Sequence, residues 1–272
     1  MRRRSGSNTV SISPAGLFRY DGRMTFADAL DILYEDNHCV AVNKPAGWPT
    51  THFDGKDETV DRLVKAYLKE KYAKPGNVFL GVVHRLDKPV SGALLFARTS
   101  KAASRLSEQF REGMVEKVYW AVVEDQLRGH KTAGAAPWLS ADVGSLEDWL
   151  KKDEPNTRVE VVEPETPGSQ FARLLFQVRA RHNGLTWLEL RPHTGRKHQL
   201  RVQLASRGCP IYGDDKYGSD HSFGHAIALH ARSLTFLHPT TKEPITVSAE
   251  VPKLWRGRFA YLLNGEPGAS EG

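Results

Sequence analysis

Short apolar runs separated by polar turn signals dominate the chain, and a few stretches instead repeat their apolar positions at helical spacing. Ile32-Leu33-Tyr34 and Cys39-Val40-Ala41-Val42, joined by Glu35-Asp36-Asn37-His38, read as a hairpin that ends at Asn43-Lys44-Pro45-Ala46-Gly47. Val60, Leu63, Val64, Tyr67 and Leu68 follow helical spacing, and Pro75-Gly76 stops that helix. Phe79-Leu80-Gly81-Val82-Val83 and Ala93-Leu94-Leu95-Phe96-Ala97 have the length and character of buried strands, so the charged residues between them form a loop. A second helix runs from a Ser100 cap through Ala103, Leu106 and Phe110 to Gly113. Strands are predicted over 117–123, 157–162, 171–178, 185–190 and 245–249, whereas 125–156 carries no clear pattern and reads as a variable insertion. Because the strands come in adjacent runs, the expected fold is α+β, with a large, mainly antiparallel or mixed twisted sheet flanked by helices.

Residues 1–24 lack periodicity and are expected to form a flexible basic arm, and 264–272 a small-residue tail, which leaves a folded body over 25–263. No run approaches the roughly 18 apolar residues that cross a bilayer, and the basic start is not followed by an apolar signal core. Cys39 and Cys209 lie far apart in apolar surroundings, which suits buried free thiols and a cytoplasmic location. The acid-free, Arg- and Ser-containing first 20 residues also match an organelle transit peptide, a second reading.

The net charge of +6 is clustered. Arg191, His193, Arg196, Lys197, His198, Arg201 and Arg207 occur with no acid among them, while acids gather over 147–165. Such a stretch draws a polyanion such as nucleic acid. Thr194 is a candidate cap for a short helix opened by Gly195-Arg196 and ending near Gly208, which would bring backbone donors and cations onto a phosphate.

The other chemically dense stretch is His84-Arg85-Leu86-Asp87-Lys88-Pro89-Val90-Ser91-Gly92. Pro89 fixes the backbone and restricts Lys88, so Asp87 is expected on a rigid loop among cations. Alone, such an Asp more often pairs with a neighbour or caps a turn. Two further segments change its weight: Lys117-Val118-Tyr119-Trp120-Ala121, and 190–201 with Thr194-Gly195-Arg196 and His198-Gln199-Leu200-Arg201.

Together with Asn43 to Gly47, Gly213-Asp214 to Tyr217-Gly218, and Leu229-His230-Ala231 before His238-Pro239, these segments resemble the RluA-type family of RNA pseudouridine synthases over nearly the whole body. The resemblance implies the pseudouridine synthase fold with a cleft across the sheet, and the isomerisation of uridine in structured RNA, ribosomal or transfer, to pseudouridine. It makes Asp87 the catalytic aspartate, Tyr119 the aromatic that stacks on the base, and Arg201 the cation paired with Asp87. Leu200 would form apolar wall, Arg85 would contact RNA and help hold the target nucleotide out of its stack, and His84, Lys44, Arg196, Lys197 and His198 complete the expected RNA-binding set. The chemistry is consistent with these residue types. The N1–C1′ bond breaks, uracil turns, and C5 bonds C1′ with no net redox change, so no cofactor and no metal is required. An ionised carboxylate beside C1′ and C2′ serves as nucleophile or base, and a base hidden in a duplex must be flipped out.

Val90 stands where the family usually has threonine, so a loop hydrogen bond is expected to be missing. Residues 1–30 are too short and irregular for the small RNA-binding domain that many members carry, so substrate choice is expected to rest on the catalytic domain of a monomer that binds RNA but neither DNA nor membrane. A protein-kinase loop places Asp directly after Arg and needs a glycine-rich loop that this chain lacks. A metal-dependent hydrolase using Asp214, Asp215, His221, His225 and His230, and a non-catalytic RNA-binding protein on the same scaffold, are the alternatives.

Overall fold

A computed structural model describes residues 30–51, 58–125, 136–153 and 157–263. The expected arm over 1–24 and tail over 264–272 lie outside these residues, as do 126–135 and 154–156 of the unreadable stretch. Strands β1 (Ile32–Glu35), β2 (Cys39–Lys44), β3 (Gly81–Val82), β4 (Ser91–Ala97), β5 (Glu116–Glu124), β6 (Val143–Asp153), β7 (Arg158–Val162), β8 (Gln170–His182), β9 (Leu185–Pro192), β10 (Leu229–Leu237) and β11 (Pro244–Ser248) form a single sheet. Its order is β1-β2-β4-β10-β5-β9-β8-β6-β7, with β11 on β10 and β3 on β4. Helices α1 (Val60–Lys71), α2 (Ser100–Arg111), α3 (Gln199–Ala205) and α4 (Lys253–Leu263) flank it.

Strand β4 explains why the sheet is covered on both faces. All seven of its residues are buried, and they divide by the two-residue period of a strand. Leu94 and Phe96 join the core beneath α1 and α4, with Val64, Leu68, Trp255 and Phe259. Ala93, Leu95 and Ala97 join a second cluster with Ala102 and Leu106 of α2. A strand buried on both faces reads as an unbroken apolar run, as this one does.

Several sequence expectations shift. The run 79–83 is not a buried strand: only Gly81–Val82 pairs with β4, and Phe79 and Val82 are exposed. Thr99, not Ser100, caps α2, accepting the Ala102 N–H on its Oγ1 at 3.1 Å. The stretch taken for an insertion contributes β6, an eleven-residue strand paired along β8.

Every strand pair is antiparallel except β4 with β10, joined at Ser91–His230 and Gly92–Ala231. This junction organises the site. Lys44 of β2 pairs with Gly92, Gly92 with Ala231, Ala231 with Tyr119 of β5, and Tyr119 with Leu190 of β9, so one row of residues crosses the sheet just behind the Asp87 loop. Gly92 is required there: its φ is +116°, and a Cβ would lie 2.2 Å from the Ala231 carbonyl oxygen. Gly92→Ala is therefore expected to destabilise the fold by about 2 kcal/mol from backbone strain alone, read as a lowered melting temperature; an unchanged melt would show that the junction can widen freely.

Candidate active site

The Asp87 loop is fixed through its own backbone. Thr50 Oγ1 donates to the Leu86 carbonyl at 2.9 Å and accepts the Leu86 N–H at 3.2 Å. The Asp87 carbonyl accepts the Val90 N–H, Lys88 the Gly47 N–H, and Pro89 the Ile227 N–H. The turn thus closes through the Val90 backbone, while the Val90 side chain is buried in the core. Next to it Ser91 Oγ lies 2.9 Å from His230 Nδ1, whose ring bonds the Ala249 carbonyl on its other side.

The Asp87 side chain is one-third exposed, and its Oδ2 lies 3.1 Å from Arg201 Nη1. Arg201 is itself buried and committed elsewhere: its Nε and Nη2 bind the two carboxylate oxygens of Asp214 at 2.7 and 2.8 Å, and its guanidinium lies 5.0 Å from the centre of the Tyr217 ring. A bidentate pair of this kind fixes the plane of the guanidinium, leaving Nη1 as a rigid pointer to Asp87. Though burial opposes the charge, bonds to Asp214 and the two nearby carboxylates hold the Arg201 proton above its ordinary range. Tyr119 packs against the core. Burial, with the charge of Asp87 adding to it, pushes its phenol well above the usual value, so Tyr119 stays protonated. Leu200, on α3 beside Arg201, is buried in the same cluster.

The family model for RNA pseudouridylate synthase matches residues 38–206, more than half of the chain. The chain belongs to that family. It is 34% identical over 243 residues to "tRNA pseudouridine synthase C" of Haemophilus influenzae, an alignment covering 84% of this chain and 95% of that protein. It is 36% identical over 227 residues to an uncharacterized RNA pseudouridine synthase of Bacillus subtilis, covering 82% and 69%. Among solved structures, human RNA pseudouridylate synthase domain containing 4 superposes with a TM-score of 0.66 at 24% identity, over 86% of this chain and 91% of that one, which supports the fold. The chain is therefore an RNA pseudouridine synthase, an isomerase that converts uridine in RNA to pseudouridine.

In this synthase Asp87, Tyr119, Arg201, Leu200 and His198 come together, and the rest of the expected RNA-binding set divides. Arg85, Arg196 and Lys197 are exposed. His84 turns the other way: its Nε2 accepts the Leu95 N–H at 2.9 Å, and its ring stacks on Phe110 of α2. Burial, aided by the nearby Lys117 charge, lowers its pKa to about 3, so it serves as a neutral acceptor for the backbone and not as a cation for phosphate.

Lys44 is fully buried. Its Nζ donates to the carbonyls of Pro45, Trp48 and Lys88 at 3.0, 2.7 and 3.2 Å, so it braces the Asp87 loop from behind and cannot reach RNA. Burial pulls its pKa down to about 7, against the attraction of Asp87. Because the unfolded chain keeps a proton on this lysine up to about 10.5, it binds more protons than the fold between these values, and rising pH favours folding. The stability advantage of the wild type over Lys44→Met is accordingly expected to grow from pH 7 towards 10.5. Phosphate contacts set the salt dependence of RNA binding, which Lys44→Met should leave unchanged; a reduced salt slope would return Lys44 to the RNA surface.

The acid-free basic stretch is also less free than it reads. Arg191 pairs with Glu116 and Glu189, Arg207 with Asp148, and Arg201 with Asp214. The helix expected to open at Gly195 begins instead at Gln199, and Thr194 does not cap it: its Oγ1 accepts the Arg173 N–H and donates to Gln199 Oε1. The hydrolase ligand set does not assemble either, since Asp214 faces Arg201, His221 faces Glu124, and His230 faces Ser91.

Among the described residues Asp36, Cys39 and His238 have metal-ligand chemistry and lie close together. Their bonds are already committed: His238 Nδ1 accepts the Thr241 N–H, so Nε2 carries the proton and donates it to Asp36 Oδ2 at 2.7 Å. A metal on Nε2 would require a proton on the nitrogen that faces a donor. Asp214 and Tyr217 are the partners that sequence reasoning left without roles. Their signals were membership of the Gly213-Asp214 to Tyr217-Gly218 motif and, for Asp214, a place in the hydrolase alternative, neither of which pointed to Arg201 or His198.

Proposed function

We propose that the synthase acts on transfer RNA and that Asp87 is its catalytic group. The observation that carries the second part is a single accessible carboxylate aimed by a buried arginine, whose own direction is set by Asp214. With a uridine drawn into the site, the Asp87 oxygen beside C1′ and C2′ is competent to attack the sugar or to take its proton, and either route releases the N1–C1′ bond. Tyr119, kept as a phenol, stacks on the freed uracil while it turns to present C5. Isomerisation closes with the C5–C1′ bond and loss of the C5 proton, while N1, freed from C1′, takes up a proton to become N1–H. Arg85, Arg196 and Lys197 are the cations that meet the phosphates.

The transfer-RNA reading is supported by relatives matched along nearly their full length and named for that substrate. We take the acting unit as a monomer, because one chain supplies all the groups of the site, and the compartment as cytoplasmic, in keeping with the buried free thiols of Cys39 and Cys209. Catalysis is assigned to a domain over 25–263. Pseudouridine mapping in total RNA from cells with and without the protein, repeated with the purified synthase on separate transfer and ribosomal RNA, is expected to give a protein-dependent site in transfer RNA. Conversion confined to ribosomal RNA would overturn the substrate assignment while leaving the role of Asp87 open to its own test.

A further inference from the structure

His198 is the residue whose surroundings are least explained by RNA contact. It sits immediately before α3 with φ +53°, a left-handed conformation that a non-glycine residue adopts at some cost. Its ring lies between two groups. Nδ1 is 2.8 Å from Tyr217 Oη, and Nε2 is 3.8 Å from Asp87 Oδ2. Tyr217 Oη in turn accepts the Val159 backbone N–H at 3.0 Å.

These contacts favour one arrangement of the protons. With Val159 donating to the phenol oxygen, the phenol's single proton finds its acceptor at His198 Nδ1, which assigns that nitrogen as the unprotonated one. Nε2 therefore carries the N–H and presents it to Asp87. Burial holds the ring neutral, with a pKa lowered to about 4; Asp87 pulls it upwards, and the charges of Arg201, Lys197 and Lys216 push it further down. The ring is thus a neutral donor, which adds no cation to a site that already has Arg201.

We propose that His198 is a positioning residue for Asp87, set in its Nε2–H form by Tyr217, and that with Arg201 it engages Oδ2 so that Oδ1 is the oxygen turned to the ribose. This rests on the reading of Asp87 as the catalytic group. Both neighbouring donors lie on the Oδ2 side, and Oδ1 has no partner among the described residues. The gap from Nε2 to Oδ2 is about 1 Å longer than a hydrogen bond, a distance that closes as a bound nucleotide settles the carboxylate. The left-handed backbone at His198 is the local distortion that carries the ring over Asp87.

The test uses the full chain and transfer RNA in single turnover. Asparagine tolerates the left-handed backbone and keeps an amide near the position of Nδ1, but is too short to present a donor to Asp87. His198→Asn is expected to slow pseudouridine formation roughly tenfold to a hundredfold with RNA affinity unchanged. His198→Gln, which keeps an N–H near the position of Nε2, recovers most of that loss, and Tyr217→Phe slows the rate in the same sense as His198→Asn. Nitrogen-15 spectra of labelled histidine should show His198 as the neutral Nε2–H form. A wild-type rate in His198→Asn, or an Nδ1–H ring in the wild type, would overturn the inference. Asp87→Asn and Asp87→Ala run alongside separate the two readings: if both are inactive while His198→Asn is fully active, only the role of His198 falls, and if both remain active the underlying reading falls.

Discussion

Asp87→Asn is expected to abolish pseudouridine formation, with a loss of at least roughly 10³-fold, while RNA binding and the melting temperature stay close to those of the wild type. Asparagine keeps an oxygen for Arg201 Nη1 and fills the same space, so the contact at 3.1 Å survives as a neutral hydrogen bond. What it removes is the negative charge that, in the proposed role, attacks C1′ or takes the C2′ proton, and an amide does neither at a useful rate. The loop itself does not depend on the side chain, because Thr50, Gly47, Lys44 and Ile227 hold its backbone. On the proposed assignment, affinity for RNA comes from phosphate contacts of Arg85, Arg196 and Lys197, away from Asp87. The measurements are single-turnover pseudouridine formation, RNA binding at fixed salt, and thermal unfolding. Retained turnover in both Asp87→Asn and Asp87→Ala would sink the catalytic assignment.

Arg201→Ala has the largest effect expected on stability. The Asp214 side chain is only 1% exposed and meets Arg201 through both oxygens. Removing the guanidinium leaves that carboxylate buried without its counter-charge, a change that typically costs about 3–5 kcal/mol. Turnover falls as well, because Asp87 loses the group that aims it. The two losses separate in the double variant Arg201→Met, Asp214→Leu, which removes both charges and fills their volume. Its melting temperature is expected to recover most of the loss while pseudouridine formation does not, since a buried ion pair need not stabilise more than apolar packing does. Recovery of turnover together with the melt would show that Arg201 serves the fold alone.

Sequence pattern was most informative where one force dominates. The helical spacing of Val60, Val64 and Leu68 and the apolar run of β4 report burial directly, and both elements form as read. Strand β6 was missed because Glu147, Asp148, Lys151 and Lys152 interrupt its apolar positions, and it is held by pairing with β8 rather than by a period of its own. In the site, Asp87, Tyr119 and Arg201 were legible through ordered motifs, and the structure places them together. The burial of Lys44 and His84 was not legible, because a cation or an imidazole in sequence looks the same whether it faces phosphate or a set of backbone groups. Nor does linear order show that Glu116, Asp148 and Asp214, from three other elements, meet Arg191, Arg207 and Arg201.

The parallel contact of β4 with β10 bears on how the protein acquires activity. Its two sides are separated by about 140 residues, and closing so long a loop is entropically costly and slow compared with forming the local hairpins. The Asp87 loop and the hairpin behind it can assemble early from neighbouring chain. Ala231, which bridges Gly92 to Tyr119, arrives only with β10. An emerging or partly refolded chain is therefore expected to have its carboxylate before it has the surface that sets Tyr119 opposite, which would make competence for RNA chemistry a late event of folding.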